Sequence, residues 1–131
     1  MREPRPGLAW SLRRLERRLA YRDYMASPRW FARRKRWAAE LAARHTAAPG
    51  CAVCGGAWSL SRDDLHHRSY VRLGHEADED LVALCRPCHR EVDRVFESDR
   101  SWRRLDRAQA TDLIVSALRR RVLTTKKDPR P

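Results

Sequence analysis

The sequence has no asparagine, and of its 29 basic residues only Lys35, Lys126 and Lys127 are lysine. So one-sided a use of arginine reads partly as codon bias in a GC-rich genome, and it rules out treating every cation as a selected contact. Long apolar runs are missing too: no stretch has the length of a membrane span, which needs about 20 consecutive apolar residues. The opening, Met1 to Trp10, is broken by Pro and Arg where a secretory signal would need an apolar core. A cytoplasmic location with no membrane partner is expected. At 131 residues the chain is too short for two independent cores of ordinary size, which excludes a large multidomain enzyme. No internal repeat is visible.

What the sequence does have is positive charge, a formal net of +12 with a pI near 10.9, and a polyanion is the partner that such a chain holds most easily. The charge falls into three segments. Residues 1–47 carry 13 basic and 4 acidic side chains and read as a basic helical extension. Residues 48–99 carry 6 basic and 10 acidic side chains and contain every cysteine. Residues 100–131 carry 10 basic and 3 acidic side chains, read as a C-terminal helix and a short, disordered basic tail from Thr124.

In the first segment Leu8, Leu12, Leu15 and Leu19 recur at helical spacing among arginines, which predicts an amphipathic helix with a packed leucine stripe. Ser27 followed by Pro28 is a helix start: the hydroxyl caps, and proline at the first position loses no hydrogen bond. A helix over about Pro28 to Arg44 follows, with Trp30, Trp37 and Leu41 on one face and Arg29, Arg33, Arg36 and Glu40 elsewhere. Ala47, Ala48, Pro49 and Gly50 end it. A further helix is expected from Arg86 or Pro87. Asp106 with Gln109 suggests a capping box for a last helix whose apolar face is Leu113, Ile114, Ala117, Leu118 and Val122.

Cys51-Ala-Val-Cys54 and Cys85-Arg-Pro-Cys88 are two C-x2-C pairs separated by 30 residues. Each pair presents two sulfurs from one tight turn, and two such turns complete a tetrahedral four-sulfur site, closed and therefore structural. Gly55 and Gly56 suit a turn that needs positive φ. A bound Zn²⁺ there would contribute folding free energy of order 10 kcal/mol. A second set of ligand types remains: His66 and His67, then His89, then Asp93 one helical turn later. Two imidazoles and a carboxylate bind a divalent ion while leaving coordination positions open, as catalysis requires.

The order C-x2-C, Leu65-His66-His67-Arg68-x-Tyr70, Leu73-Gly74-His75-Glu76, Asp80-Leu81-Val82-x-Leu84-Cys85-x-x-Cys88-His89 resembles the HNH endonucleases, particularly the small zinc-containing group of phages and bacteria. Tyr21-x-x-Tyr24-x-x-Ser27-x-x-Trp30-x-x-Arg33 is similar to the helical lead-in of that group, so the resemblance spans residues 21–95. It implies an α+β chain with a ββα-metal (His-Me finger) core and a four-cysteine zinc knuckle, flanked by N- and C-terminal helices. It implies further that His66 and His89 are metal ligands, that His67 is the general base, and that Asp80 holds the loop-bracing position usually filled by Asn. Asp93 stands where many members have a second helical His, and its carboxylate would favour Mg²⁺ or Mn²⁺. The activity implied is metal-dependent hydrolysis of phosphodiester bonds in DNA, with RNA as a further candidate substrate and a terminase or other DNA-processing protein as a candidate partner.

Carboxylates around a metal repel DNA unless cations flank them, so Arg33, Arg34, Lys35, Arg36, Arg68 and Arg72 are expected to grip the nucleic acid, with Arg119, Arg120 and Arg121 as weaker candidates. Trp30, Trp37 and Trp58 are expected in the core. A reading of another class is a non-catalytic, zinc-stapled nucleic-acid-binding module, which needs the four cysteines but not His67.

Overall fold

The computed structural model describes residues 6–44 and 49–127. It is an α+β chain: α1 (Pro6–Met25), α2 (Pro28–Arg44), β1 (Asp64–His67), β2 (Leu81–Leu84), α3 (Arg86–Ser98) and α4 (Arg107–Lys127), with short 3-10 turns at Asp78–Asp80 and Arg100–Arg104. The corner between the first two helices forms as its residues dictate. Ser27 Oγ donates to the Tyr24 carbonyl at 2.6 Å and lies 3.4 Å from the Trp30 N–H, and α2 starts at Pro28. Of the residues expected to end α2, Ala47 and Ala48 lie outside the described residues.

β1 and β2 pair antiparallel, with His66 opposite Val82 and His67 opposite Leu81. Side chains alternate across a strand, and here both faces of the two-stranded sheet are covered. Leu65, Leu81 and Ala83 point to one side, into a core with Trp30 and Trp37 of α2 and with Trp58. Leu84 points to the other, with Val92 of α3, Ile114 and Leu118 of α4, and the cysteine turn at Cys51 and Val53. The three tryptophans are buried as expected, Trp37 and Trp58 meeting edge to face at 5.4 Å. Each removes about 200 Å² from water, about 5 kcal/mol on area bookkeeping. The tryptophan core joins residues on both sides of position 47, and the other core joins residues on both sides of position 99.

Several expectations are corrected. Leu12, Leu15 and Leu19 are 47%, 50% and 45% exposed, so this part of the stripe on α1 is not packed away by the described residues, and the side chain of Leu8 lies outside them. Periodicity identifies an apolar face but not whether anything covers it. On α4, Ile114 and Leu118 are buried and Val122 packs with them as expected, but Leu113 is 54% exposed and Ala117 is exposed, and Ala110 and Thr111 are buried instead. The covered face meets Val92 of α3, Leu84 of β2, the cysteine turn and His66 of β1, and it is rotated slightly from the one expected. The tail expected from Thr124 is helical to Lys127, with 128–131 outside the described residues.

Candidate metal centres and a buried histidine

The two C-x2-C turns come together as their spacing implies. The four sulfurs of Cys51, Cys54, Cys85 and Cys88 lie within 4.8 Å of one another, with Cys54 and Cys85 3.9 Å apart. Sulfurs about 2.3 Å from a tetrahedral Zn²⁺ would be separated by just under 4 Å, so the donor set and its dimensions fit a structural metal. Gly55 takes φ +73° and closes the first turn. Burial pushes the Cys51 thiol up, but N–H donors of Cys54, Cys85 and Val53 outweigh it and bring it down to about 7. The same burial, with Cys85 and Cys51 as neighbours, pushes Cys88 up.

The second group assembles from β1 and α3. His66, His89 and Asp93 offer ligand atoms within 4.8 Å of one another. His66 Nδ1 is 3.2 Å from His89 Nε2, and His89 Nε2 is 3.7 Å from Asp93 Oδ2. On its other side His89 Nδ1 donates to Asp64 Oδ2 at 3.0 Å. That bond fixes the tautomer, so His89 Nε2 carries its lone pair toward His66, as a carboxylate-oriented ligand does. Burial, reinforced by the charge of Arg107 and by the neighbouring imidazoles, holds His66 down at about 3, so it is a neutral donor at ordinary pH. Three ligands leave coordination positions open.

His67, its neighbour on the strand, faces the opposite side of the sheet. Its ring stacks on Trp30 at 4.7 Å between centroids and has Tyr70 at 5.6 Å and the edge of Tyr21 at 6.1 Å. Its Nε2 is 2.7 Å from Glu76 Oε2, the side chains being 1% and 0% exposed. Glu76 also accepts from the Tyr24 hydroxyl at 2.7 Å. Burial lowers His67, with the Glu76 bond and charge opposing it. Burial raises Glu76, but the His67 and Tyr24 bonds outweigh it and its value falls. The stable pair is therefore a neutral imidazole donating Nε2–H to a carboxylate, which leaves the lone pair on Nδ1.

Asp80 is buried and braces the loop, accepting from the Ala77 N–H at 2.9 Å and from Arg72 at 2.7 and 2.8 Å. Hydrogen bonds from Arg72 lead the causes that lower its carboxyl. Asp cannot donate as Asn would, and the Arg72 fork supplies the donors instead. Gly74, at φ +89°, turns the loop between them, and its carbonyl accepts from Arg29 at 3.0 Å.

The six cations expected on the nucleic acid divide. Arg33 is 5% exposed and lies with Trp30 and Trp37, donating to the Glu76 carbonyl at 3.0 Å and to Asp78 at 2.6 Å. Its place off the tryptophan face is thereby corrected: positions 30, 33 and 37 share one side of a helix. Arg34 is half-buried on the carbonyls of Leu60 and Asp63. Arg68 grips Asp112 with both arms, at 2.9 and 2.6 Å, and Arg72 is bound to Asp80 and Glu79. Lys35 and Arg36 are exposed, Arg36 lying 3.6 Å from Glu40.

Residues that were not singled out complete the site. Asp64 shares a strand face with His66, a signal that alternation carries. Glu76 and Thr111, the latter 3.5 Å from His66 Nε2, are brought in by the loop and by α4, where nothing local marks them. Arg107 donates Nε to the His67 carbonyl at 3.0 Å. The chain matches no family model, and no curated protein or solved structure is significantly similar to it.

Proposed function

We propose that this protein is a metal-dependent endonuclease of the HNH type that hydrolyses phosphodiester bonds of DNA, on a ββα-metal core made of β1, β2 and α3. The observation that carries the reading is the convergence of His66 and His89 with Asp93, oriented by Asp64, beside a four-cysteine cluster. Cys51, Cys54, Cys85 and Cys88 would hold a structural Zn²⁺. His66, His89 and Asp93 would hold Mg²⁺ or Mn²⁺, which, when bound, offsets charge on the phosphate and on the leaving 3′ oxygen. His67 is the base: its Nδ1 takes a proton from water as the water oxygen bonds to phosphorus and the P–O3′ bond breaks. Glu76 holds the ring in the tautomer that this step needs, the part a carboxylate plays beside a catalytic imidazole. Asp80 and Arg72 keep the intervening loop in one shape.

A second reading is favoured by one observation: the His67 side chain is 1% exposed, as in a module whose histidine serves packing alone. Such a chain would bind nucleic acid through a zinc-stapled fold, as an accessory to a DNA-processing assembly, and cut nothing. Incubation with supercoiled plasmid across Mg²⁺, Mn²⁺, Ni²⁺ and Zn²⁺ separates the two. The nuclease cuts with at least one ion, and His67→Ala abolishes cutting while zinc content and DNA binding persist. Undiminished cutting by His67→Ala removes the base assignment, and no cutting by the wild type with any ion leaves the binding module.

A further inference from the structure

With Arg33, Arg34, Arg68 and Arg72 engaged within the chain, the cations that could meet a polyanion lie elsewhere, and several gather around Tyr70. An open cleft of about 860 Å³ is lined by Arg17, Tyr70, Phe96, Arg103 and Arg107, with Asp93 and Glu97 as its carboxylates. A neighbouring one of about 600 Å³ shares Arg17 and Tyr70 and adds Arg14 and Arg18. Arg14, Arg17, Arg18 and Arg103 are exposed and have no hydrogen-bond or ion-pair partner among the described residues.

Arg107 is the built element. Its guanidinium lies 4.3 Å over the ring of Tyr70 and 5.1 Å from that of Phe96, and its Nε is tied to the His67 carbonyl at 3.0 Å. Neither Nη has a hydrogen-bond or ion-pair partner among the described residues, and neither is a buried unpartnered atom there, Arg33 Nη1 being the sole one. A planar fork held by stacking, with its outer N–H groups free, is preorganised for two oxygens of a phosphate. Asp93 lines the same cleft, and the charge of Arg107 is felt at His66, so an anion on the fork sits next to the His66–His89–Asp93 group.

We propose that this cleft seats a phosphodiester of the substrate strand on Arg107, flanked by Arg17 and Arg103, and that Arg14 and Arg18 carry the strand onward along α1. Cations spread over two adjoining clefts suit a repeating polyanion better than a single small anion, and Tyr70, 43% exposed, offers a ring edge to a base. The identity of the polyanion rests on the nuclease reading; the anion site does not.

The test measures binding of a short fluorescein-labelled DNA duplex by anisotropy at several salt concentrations, with no divalent ion added, for zinc-loaded full-length protein. Arg107→Gln, Arg103→Glu and Arg17→Glu each weaken binding at least about tenfold and lower the salt slope by about one. Arg94→Glu, the same charge change in the groove that Cys88 lines, leaves both unchanged. Should Arg107→Gln fail to fold, judged by zinc content and circular dichroism, the two exposed positions carry the test. Wild-type affinity in the cleft variants, or an equal loss in Arg94→Glu, overturns the proposal. Cleavage that persists with unaltered binding in those variants sinks the cleft alone; cleft-dependent binding without cleavage in any metal sinks the nuclease reading alone.

Discussion

Replacing Glu76 by Gln preserves the shape of a fully buried side chain and removes its charge. Two bonds are affected, one from His67 Nε2 and one from the Tyr24 hydroxyl, both at 2.7 Å. Hydrogen bonds to a charged group contribute about 1.5–3 kcal/mol and neutral ones about 0.5–1.5, so converting both costs about 2–3 kcal/mol. Glutamine can still accept from His67, but it must then present its amide N–H₂ to Tyr24, whose hydroxyl has to turn and accept. For a chain of this size the loss lowers Tm by roughly 10 °C. Two companions bracket it: Tyr24→Phe removes one bond and costs about 1–2 kcal/mol, whereas Glu76→Ala leaves His67 without an acceptor and costs about 3–5 kcal/mol. Urea denaturation of zinc-loaded protein at neutral pH, followed by tryptophan fluorescence, gives all three. If Glu76→Gln stays within about 0.5 kcal/mol of the wild type, the range of an ordinary surface substitution, the pair is not the buried charge-assisted contact described here.

Because burial lowers His67 below its ordinary value near 6.5, the proposed base should stay unprotonated as pH falls through 6.5, and the proposed plasmid cleavage should slow only at lower pH. Glu76 opposes that lowering, so in Glu76→Gln the acid limb moves lower still; a limb at or above 6.5 in the wild type contradicts the burial argument. Cys51→Ser removes one of four sulfurs from the proposed zinc site, where a bound ion would contribute folding free energy of order 10 kcal/mol, and should abolish zinc retention and cooperative unfolding, read by metal analysis and circular dichroism. Leu84→Ala empties a fully buried position between β2, α3 and α4 and should cost about 2–5 kcal/mol. Leu15→Ser on the half-exposed face of α1 should cost under about 0.5 kcal/mol if nothing in this chain covers it, and a larger loss in the same denaturation assay would mean that the stripe is packed.

How far the sequence reached follows from how local each determinant is. The Ser27-Pro28 start, the paired cysteines and the i, i+4 spacing of His89 and Asp93 were legible because a few adjacent residues carry the whole instruction. Arg33 was not, since its burial depends on a carbonyl at Glu76 and a carboxylate at Asp78 more than forty positions away. Of the six cations expected to face a ligand, four are engaged within the chain, because an arginine beside unpaired carbonyls and carboxylates is drawn into the fold first. Arg107 escaped notice for the opposite reason: nothing near Asp106 indicates that the first residue of a helix will reach the carbonyl of His67.

Residues 66 and 67 are the same amino acid side by side, and only the parity of the strand tells them apart. Odd positions of β1 join the tryptophan core and even positions join the cysteine side, an assignment that Leu65 enforces by burying at 3% exposure. A shift of β1 by one residue against β2 would present the second imidazole to His89 and the first to Glu76, exchanging two identical side chains with no change in composition. The difference between the surroundings of the two histidines, and with it the proposed roles of ligand and base, is thus stored in strand register. A single-residue insertion or deletion between Asp63 and His66 is the lesion to which it is most exposed.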